Sequence, residues 1–185
     1  MNMELIKEIK QSKILKNLFV VLVGTVLLAI SSKIKIPFYP VPMTMQTFIV
    51  LVIGIGFGWK IGIATVALYL FEGLIGLPVF SGTPEKGIGF IYFTGPTMGY
   101  LIGFLVTIFF AGRFNYQDNL IFNFIKLTFA TSFIYILGML WLGVLIGWDK
   151  PIFTLGAQPF LLAELFKILL ATFFISKIKK IKKIF

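Results

Sequence analysis

Ionisable side chains inside apolar runs are the first candidates for chemistry in this sequence, and they are Glu72, Glu164 and Lys167. A charge in hydrocarbon is costly, so groups placed there usually pair with one another or line a site or polar pathway. Lys167 follows Glu164 by three residues, which sets both on one helix face. The two form either a self-neutralising ion pair or the polar wall of a cavity. Glu72 stands beside Gly73 near the end of its run, where its side chain either reaches past the membrane or joins that wall. Histidine and cysteine are absent. A zinc site of imidazole or thiolate, an iron-sulfur cluster, a disulfide, a histidine base and a cysteine nucleophile are thereby excluded. With a single arginine and no clustered aspartates, the sequence offers no metal and no catalytic constellation, and we expect neither enzyme activity nor a cofactor.

The elements that must position these groups follow from composition. Apolar residues make up 58% of the 185 positions and charged ones 13%, and mean hydropathy is +0.99, which is far from soluble composition. The expectation is an all-α integral membrane protein forming one membrane domain over residues 1–185. Runs near the length of about 20 residues that a helix needs to span hydrocarbon are Leu18 to Ser31 (led by Ile14 and Leu15), Ile61 to Leu77, Gly95 to Gly112, Leu127 to Gly147 and Pro159 to Ser176. A shorter run, Met43 to Phe57, is entered from the proline-rich Ile36 to Pro42, which cannot be helical throughout. Six spans are expected.

Charge supports that count. With the N-terminus inside, the inner segments contain Lys7, Lys10, Lys13, Lys16, Lys60, Arg113, Lys126 and the C-terminal lysines, whereas the outer segments contain only Lys33, Lys35, Lys86 and Lys150. Both termini are therefore expected on the cytoplasmic side of a multi-pass protein of the cell membrane. The net charge of +10 sits mostly in two basic ends, residues 1–16 and 177–185. In the latter Ile178, Ile181, Ile184 and Phe185 alternate with lysines as in a helix lying on an anionic bilayer surface, a better reading than nucleic-acid binding. Lysines before a run ending in Ala29, Ile30 and Ser31 also have the outline of a cleavable signal, whose removal would leave five spans.

The loop from Pro78 to Phe93 is long and glycine-rich and reads as a lid. Gly82 and Gly87 have the spacing that opens a phosphate loop, but Ile88 and Gly89 follow where lysine and a hydroxyl are needed, so no nucleotide site is expected. Phe90 to Phe93 and Trp148 suit an interfacial aromatic belt or a stacking wall. Thr25 and Ala29, four apart with Val21 and Gly24 near them, make a smooth face for close helix contact. That face serves internal packing or docking of another membrane subunit.

Five runs in order now resemble one family: IPFYPVPMTMQTF (36–48), YLFEGLIGLPVFSG (69–82), TGPTMGYLIGF (94–104), YILGMLWL (135–142) and PFLLAELFK (159–167). They are similar to the BioY family, the biotin-specific substrate-capture subunits, or S components, of energy-coupling-factor (ECF) transporters. Where that family commonly has a Gly-Asp pair before the lysine, Ala163 and Glu164 stand here, and Leu162 replaces a frequent proline. The resemblance implies a six-helix S-component fold that binds biotin from the extracellular side. A separate ECF transmembrane coupling subunit and two ATPase subunits would drive uptake. It implies that Glu164 accepts the ureido N–H groups and that Lys167 donates to the ureido carbonyl or balances charge. Phe80, Tyr100 and Trp141 would wall the thiophane ring and chain, with Thr44, Gln46 and Ser81 as polar contacts. Lys86 is the candidate partner for the ligand carboxylate. The competing reading is a stand-alone secondary carrier or facilitator for biotin or another small vitamin, with Glu72 or Glu164 cycling protons.

Overall fold

In hydrocarbon every backbone N–H and C=O must find its partner within the segment, so apolar runs of this length fold as helices. The computed structural model describes residues 3–117 and 119–181, with side chains from Lys13 to Lys180. The helices are α1 (Met3–Lys33), α2 (Gln46–Phe57), α3 (Trp59–Leu74), the short α4 (Phe90–Phe93), α5 (Met98–Arg113), α6 (Leu120–Ile146), the short α7 (Ile152–Gly156) and α8 (Leu161–Ile181). A 3₁₀ turn, Gln158–Phe160, leads into α8. Among the described residues, Lys13–Lys33, Leu120–Ile146 and Ile152–Lys180 are long and apolar enough to cross a membrane, and Gln46–Phe57 and Met98–Arg113 are shorter apolar helices. Of the amphipathic tail, Lys182 to Phe185 lies outside the described residues.

Several boundaries differ from the hydropathy reading, each for a local reason. The short run expected from Met43 becomes helical only at Gln46. Met43 and Thr44 form β2 (Met43–Thr44), antiparallel to β1 (Lys35–Ile36), with Lys35 opposite Thr44 and Ile36 opposite Met43. Helices α2 and α3 are separated by Gly58 alone, whose φ of +82° is open to glycine and costly for other residues. Helix α6 begins at Leu120 rather than Leu127, because the Asn119 side chain accepts from the N–H groups of Ile121 and Phe122 at 2.9 and 3.2 Å and caps the first turn.

Helix α2 is central, packing against α1, α3, α5 and α8. The α5–α6 interface is close because glycines on α5 meet backbone on α6: a methyl group added at Gly103 would lie 2.5 Å from the Ile134 Cα. Thr107 Oγ1 donates across the same interface to the Ala130 carbonyl at 2.8 Å. Two apolar cores result. One, containing Val50, Val66, Tyr69, Phe104 and Ile134, lies at the end of the bundle where α1 finishes and α8 starts. The other, containing Leu51, Ile55, Leu127, Ala171 and Ile175, lies toward the opposite end. Leu22, Val26, Ile30, Ile121, Leu162 and Phe173 are exposed large apolar side chains, the surface a bilayer would cover.

The face of Thr25 and Ala29 turns inward, which favours the internal-packing alternative over a docking surface. Thr25 is 2% exposed, Ala29 packs against the first core, and a methyl group at the neighbouring Gly24 would lie 2.5 Å from Thr65 Cγ2 on α3. Small residues permit close approach; here the helices approaching are the chain's own.

Candidate functional site

The first turns of α8 place Glu164 and Lys167 against α2, α6 and β2. Both are buried and form an ion pair of 3.2 Å. The Lys167 ammonium donates to the Thr44 carbonyl at 2.7 Å, to Thr47 Oγ1 at 3.0 Å and to Glu164 Oε2, so its three protons are all engaged. Glu164 Oε2 also accepts from Thr47 Oγ1 at 3.1 Å and from the Tyr135 hydroxyl at 2.9 Å. Glu164 Oε1, equally buried, has no partner. One oxygen is thus saturated, while its twin stands open in a place where an unmade hydrogen bond is expensive.

Glu164, which carries that open oxygen, lines a cavity of about 60 Å³ bordered by α2, α5, α6, α8, the β-ribbon and the lid. Aromatic side chains make much of its wall. Tyr135 stacks on Phe160 with ring centroids 6.3 Å apart, and Tyr100 meets Tyr135 edge-on while its hydroxyl donates to the Gly156 carbonyl at 2.8 Å. The lid contributes Ser81, whose Oγ is the other buried side-chain polar atom without a partner among the described residues. A chain of bonds ties the lower rim to the lid: Thr44 Oγ1 to Gln46 Oε1 (3.2 Å), Gln46 Nε2 to the Tyr69 hydroxyl (2.7 Å), and Tyr69 to the Val79 carbonyl (3.0 Å). Two polar atoms held open among aromatic rings suit a small ligand that offers hydrogen-bond donors on an otherwise apolar body.

Of the residues singled out from sequence, Glu164, Lys167, Thr44, Gln46, Ser81 and Tyr100 come together around this cavity. Others do not reach it. Phe80 is buried behind Tyr92, stacked on it at 4.7 Å and edge-on to Tyr69 at 5.2 Å. Trp141 points to the other side of α6, where its Nε1 donates to the Gly95 carbonyl at 2.8 Å. Lys86 is exposed on the lid, its stem against Gly82, and its ammonium is pushed below the ordinary lysine value by partial burial and then by the nearby charge of Lys35. Glu72 is half-buried near the end of α3 and lies outside the cavity wall. Tyr92, from the aromatic run at 90–93, lines the cavity, whereas the sequence reading passed over Thr47, Tyr135 and Phe160. Tyr135 opens one of the resembling runs, and Thr47 follows Gln46 within another, which is the signal that was present.

A sequence profile of the BioY family matches residues 3–183. A protein of Pyrococcus horikoshii described as a probable biotin transporter BioY is 31% identical over 156 residues, covering 82% of this chain and 89% of that protein. The biotin transporter BioY of Thermotoga maritima is 31% identical over 159 residues, covering 85% and 92%. Among solved structures, the S-component for biotin from an ECF-type ABC transporter superposes with a TM-score of 0.76 at 27% identity, covering 91% of this chain and 93% of that one.

Proposed function

Because the chain belongs to the BioY family, we propose that it is the subunit that captures biotin from outside the cell for an ECF-type uptake system. The observation that carries this reading is that Glu164 and Ser81, each with a buried oxygen that has no partner, line one aromatic-walled cavity. A ureido ring presents N–H donors, and a carboxylate oxygen with no other partner is a strong acceptor for one of them. Lys167, with all its protons engaged, balances the carboxylate charge and fixes its orientation rather than donating to the ligand. Tyr100, Tyr135 and Phe160 supply apolar walls for the thiophane ring and valerate chain. A cavity of about 60 Å³ is tight for this bicyclic ligand, and the lid and the β-ribbon are the bordering elements that would part to admit it. Lys86 stands on that lid outside the cavity wall and is the proposed partner of the valerate carboxylate, on its charge.

The same reading takes the chain as one integral membrane domain of the cell membrane with six spans, α1, α2, α3, α5, α6 and α8, and both termini cytoplasmic. It is supported by Lys13, Lys60, Arg113 and Lys179 collecting at the bundle end opposite the cavity. Energy would come from an ECF transmembrane coupling subunit with two ATPase subunits, since the lid lacks the lysine and hydroxyl of a phosphate loop. Calorimetry on the purified chain in detergent, without nucleotide, tests the reading. The expected result is one biotin bound per chain. No heat with biotin, together with binding of a different vitamin, rejects the specificity.

A further inference from the structure

Residues 75–89, between α3 and α4, form turns without a helix or strand of their own, and side chains from outside the segment hold its carbonyl groups. Lys33, the last residue of α1, donates from Nζ to the carbonyls of Pro78 and Phe80, both at 2.8 Å, and to the carbonyl and Oγ1 of Thr83 at 3.3 and 3.1 Å. Beside it, Ser32 Oγ contacts the Val79 carbonyl at 2.7 Å and the Ala29 carbonyl of its own helix at 2.7 Å. The Tyr92 hydroxyl takes the carbonyl of Ser81 at 2.8 Å. The carbonyls of Pro78 to Ser81 and of Thr83 are each held by a side chain from another element, and one ammonium grips both ends of the turn. Ser81, with its open Oγ in the cavity wall, lies between the carbonyls that Lys33 binds.

We propose that Lys33 is the positioning residue of the lid: by binding residues 78 to 83 it keeps the turn closed over the cavity, so that ligand release requires the lid to leave the end of α1. Charge-assisted bonds to several carbonyls at once are the strongest contacts this turn makes, and Lys33 contributes nothing to the cavity wall itself. The inference rests on reading that cavity as the biotin site, but its first test does not use biotin.

The chain has no cysteine, so a Ser81→Cys variant carries a single thiol and reports lid opening through its rate of reaction with N-ethylmaleimide. Adding Lys33→Met should raise that rate about tenfold, as expected if a charge-assisted contact is lost, and Lys33→Arg, which keeps charge and donors, should return it to within about threefold. A thiol placed instead at Thr131, buried within α6, should stay unreactive in the Lys33→Met background, which separates local opening from general loosening. With Ser81 intact, Lys33→Met should release bound biotin about tenfold faster. If Lys33→Met yields no folded protein, Thr83→Val, which removes one latch contact together with the hydroxyl's own bond to the Phe80 carbonyl, should give a smaller rise in labelling of the same sign. Unchanged labelling in the folded variants overturns the proposal, as does equal labelling at the Thr131 position. Failure of the wild-type chain to bind biotin overturns the reading of the site while leaving the labelling result to stand for the latch.

Discussion

Glu164 has one oxygen with three donors and another with none, and this asymmetry decides what substitution there should do. Glu164→Gln keeps the shape but loses the charge that makes an N–H···O bond strong, and should weaken biotin binding by about 1.5 to 3 kcal/mol in calorimetry. Tyr135→Phe removes only a neutral donor to the saturated oxygen and should cost about 0.5 to 1.5 kcal/mol. A Glu164→Gln protein that binds normally but unfolds at lower temperature would show that the ion pair with Lys167 serves folding alone. These two charges were legible in the sequence because nothing else in an apolar helix is as costly. Thr47 and Tyr135 were not, because most membrane hydroxyls look the same on paper. Thr25, Thr131 and Thr172 each spend their hydroxyl on a carbonyl of their own helix, and only tertiary packing tells them from Thr47. Phe80 and Trp141 show the same limit, since an aromatic in a site-like run can face the ligand, the core or the lipid.

Among the helices, the α5–α6 interface leaves no room for added volume at its glycines. Gly103→Ala sets a methyl group against the backbone of Ile134 and should lower stability by about 1 to 3 kcal/mol, read as a fall in melting temperature of the detergent-solubilised protein. Thr25→Trp at the α1 seam should likewise reduce folding yield; normal yield with failed co-purification of a coupling subunit would return that face to docking. Helix existence was legible from hydropathy, and helix ends were less so. The single-residue break at Gly58 leaves hydropathy continuous, and two-residue strands carry too little alternation to be seen beside the prolines at 37, 40 and 42. The small-residue stripe correctly signalled close approach on α1, but spacing on one helix does not say which helix comes near.

For the molecule as a whole, the cavity sits at one end of the bundle and basic residues gather at the other, with no nucleotide loop in the sequence to drive a cycle. Proteoliposomes containing this chain alone should bind biotin without accumulating it against a gradient, and energised uptake should appear only when a coupling subunit and its ATPases are added; accumulation by the chain alone, followed with radiolabelled biotin, would establish the proton-carrier reading instead. The helices that surround this machinery are of unequal height. Helix α6 has 27 residues and α3 has 16, roughly 40 Å against 24 Å of rise, yet α3 also presents exposed apolar side chains at Phe71 and Leu74. With α3 and α6 both spanning, as proposed above, lipid on the α3 side would thin and α6 would tilt to hide its excess, at fractions of a kcal/mol per Å, so the protein would carry a lopsided elastic footprint that bilayers of different acyl-chain length load differently on its two sides.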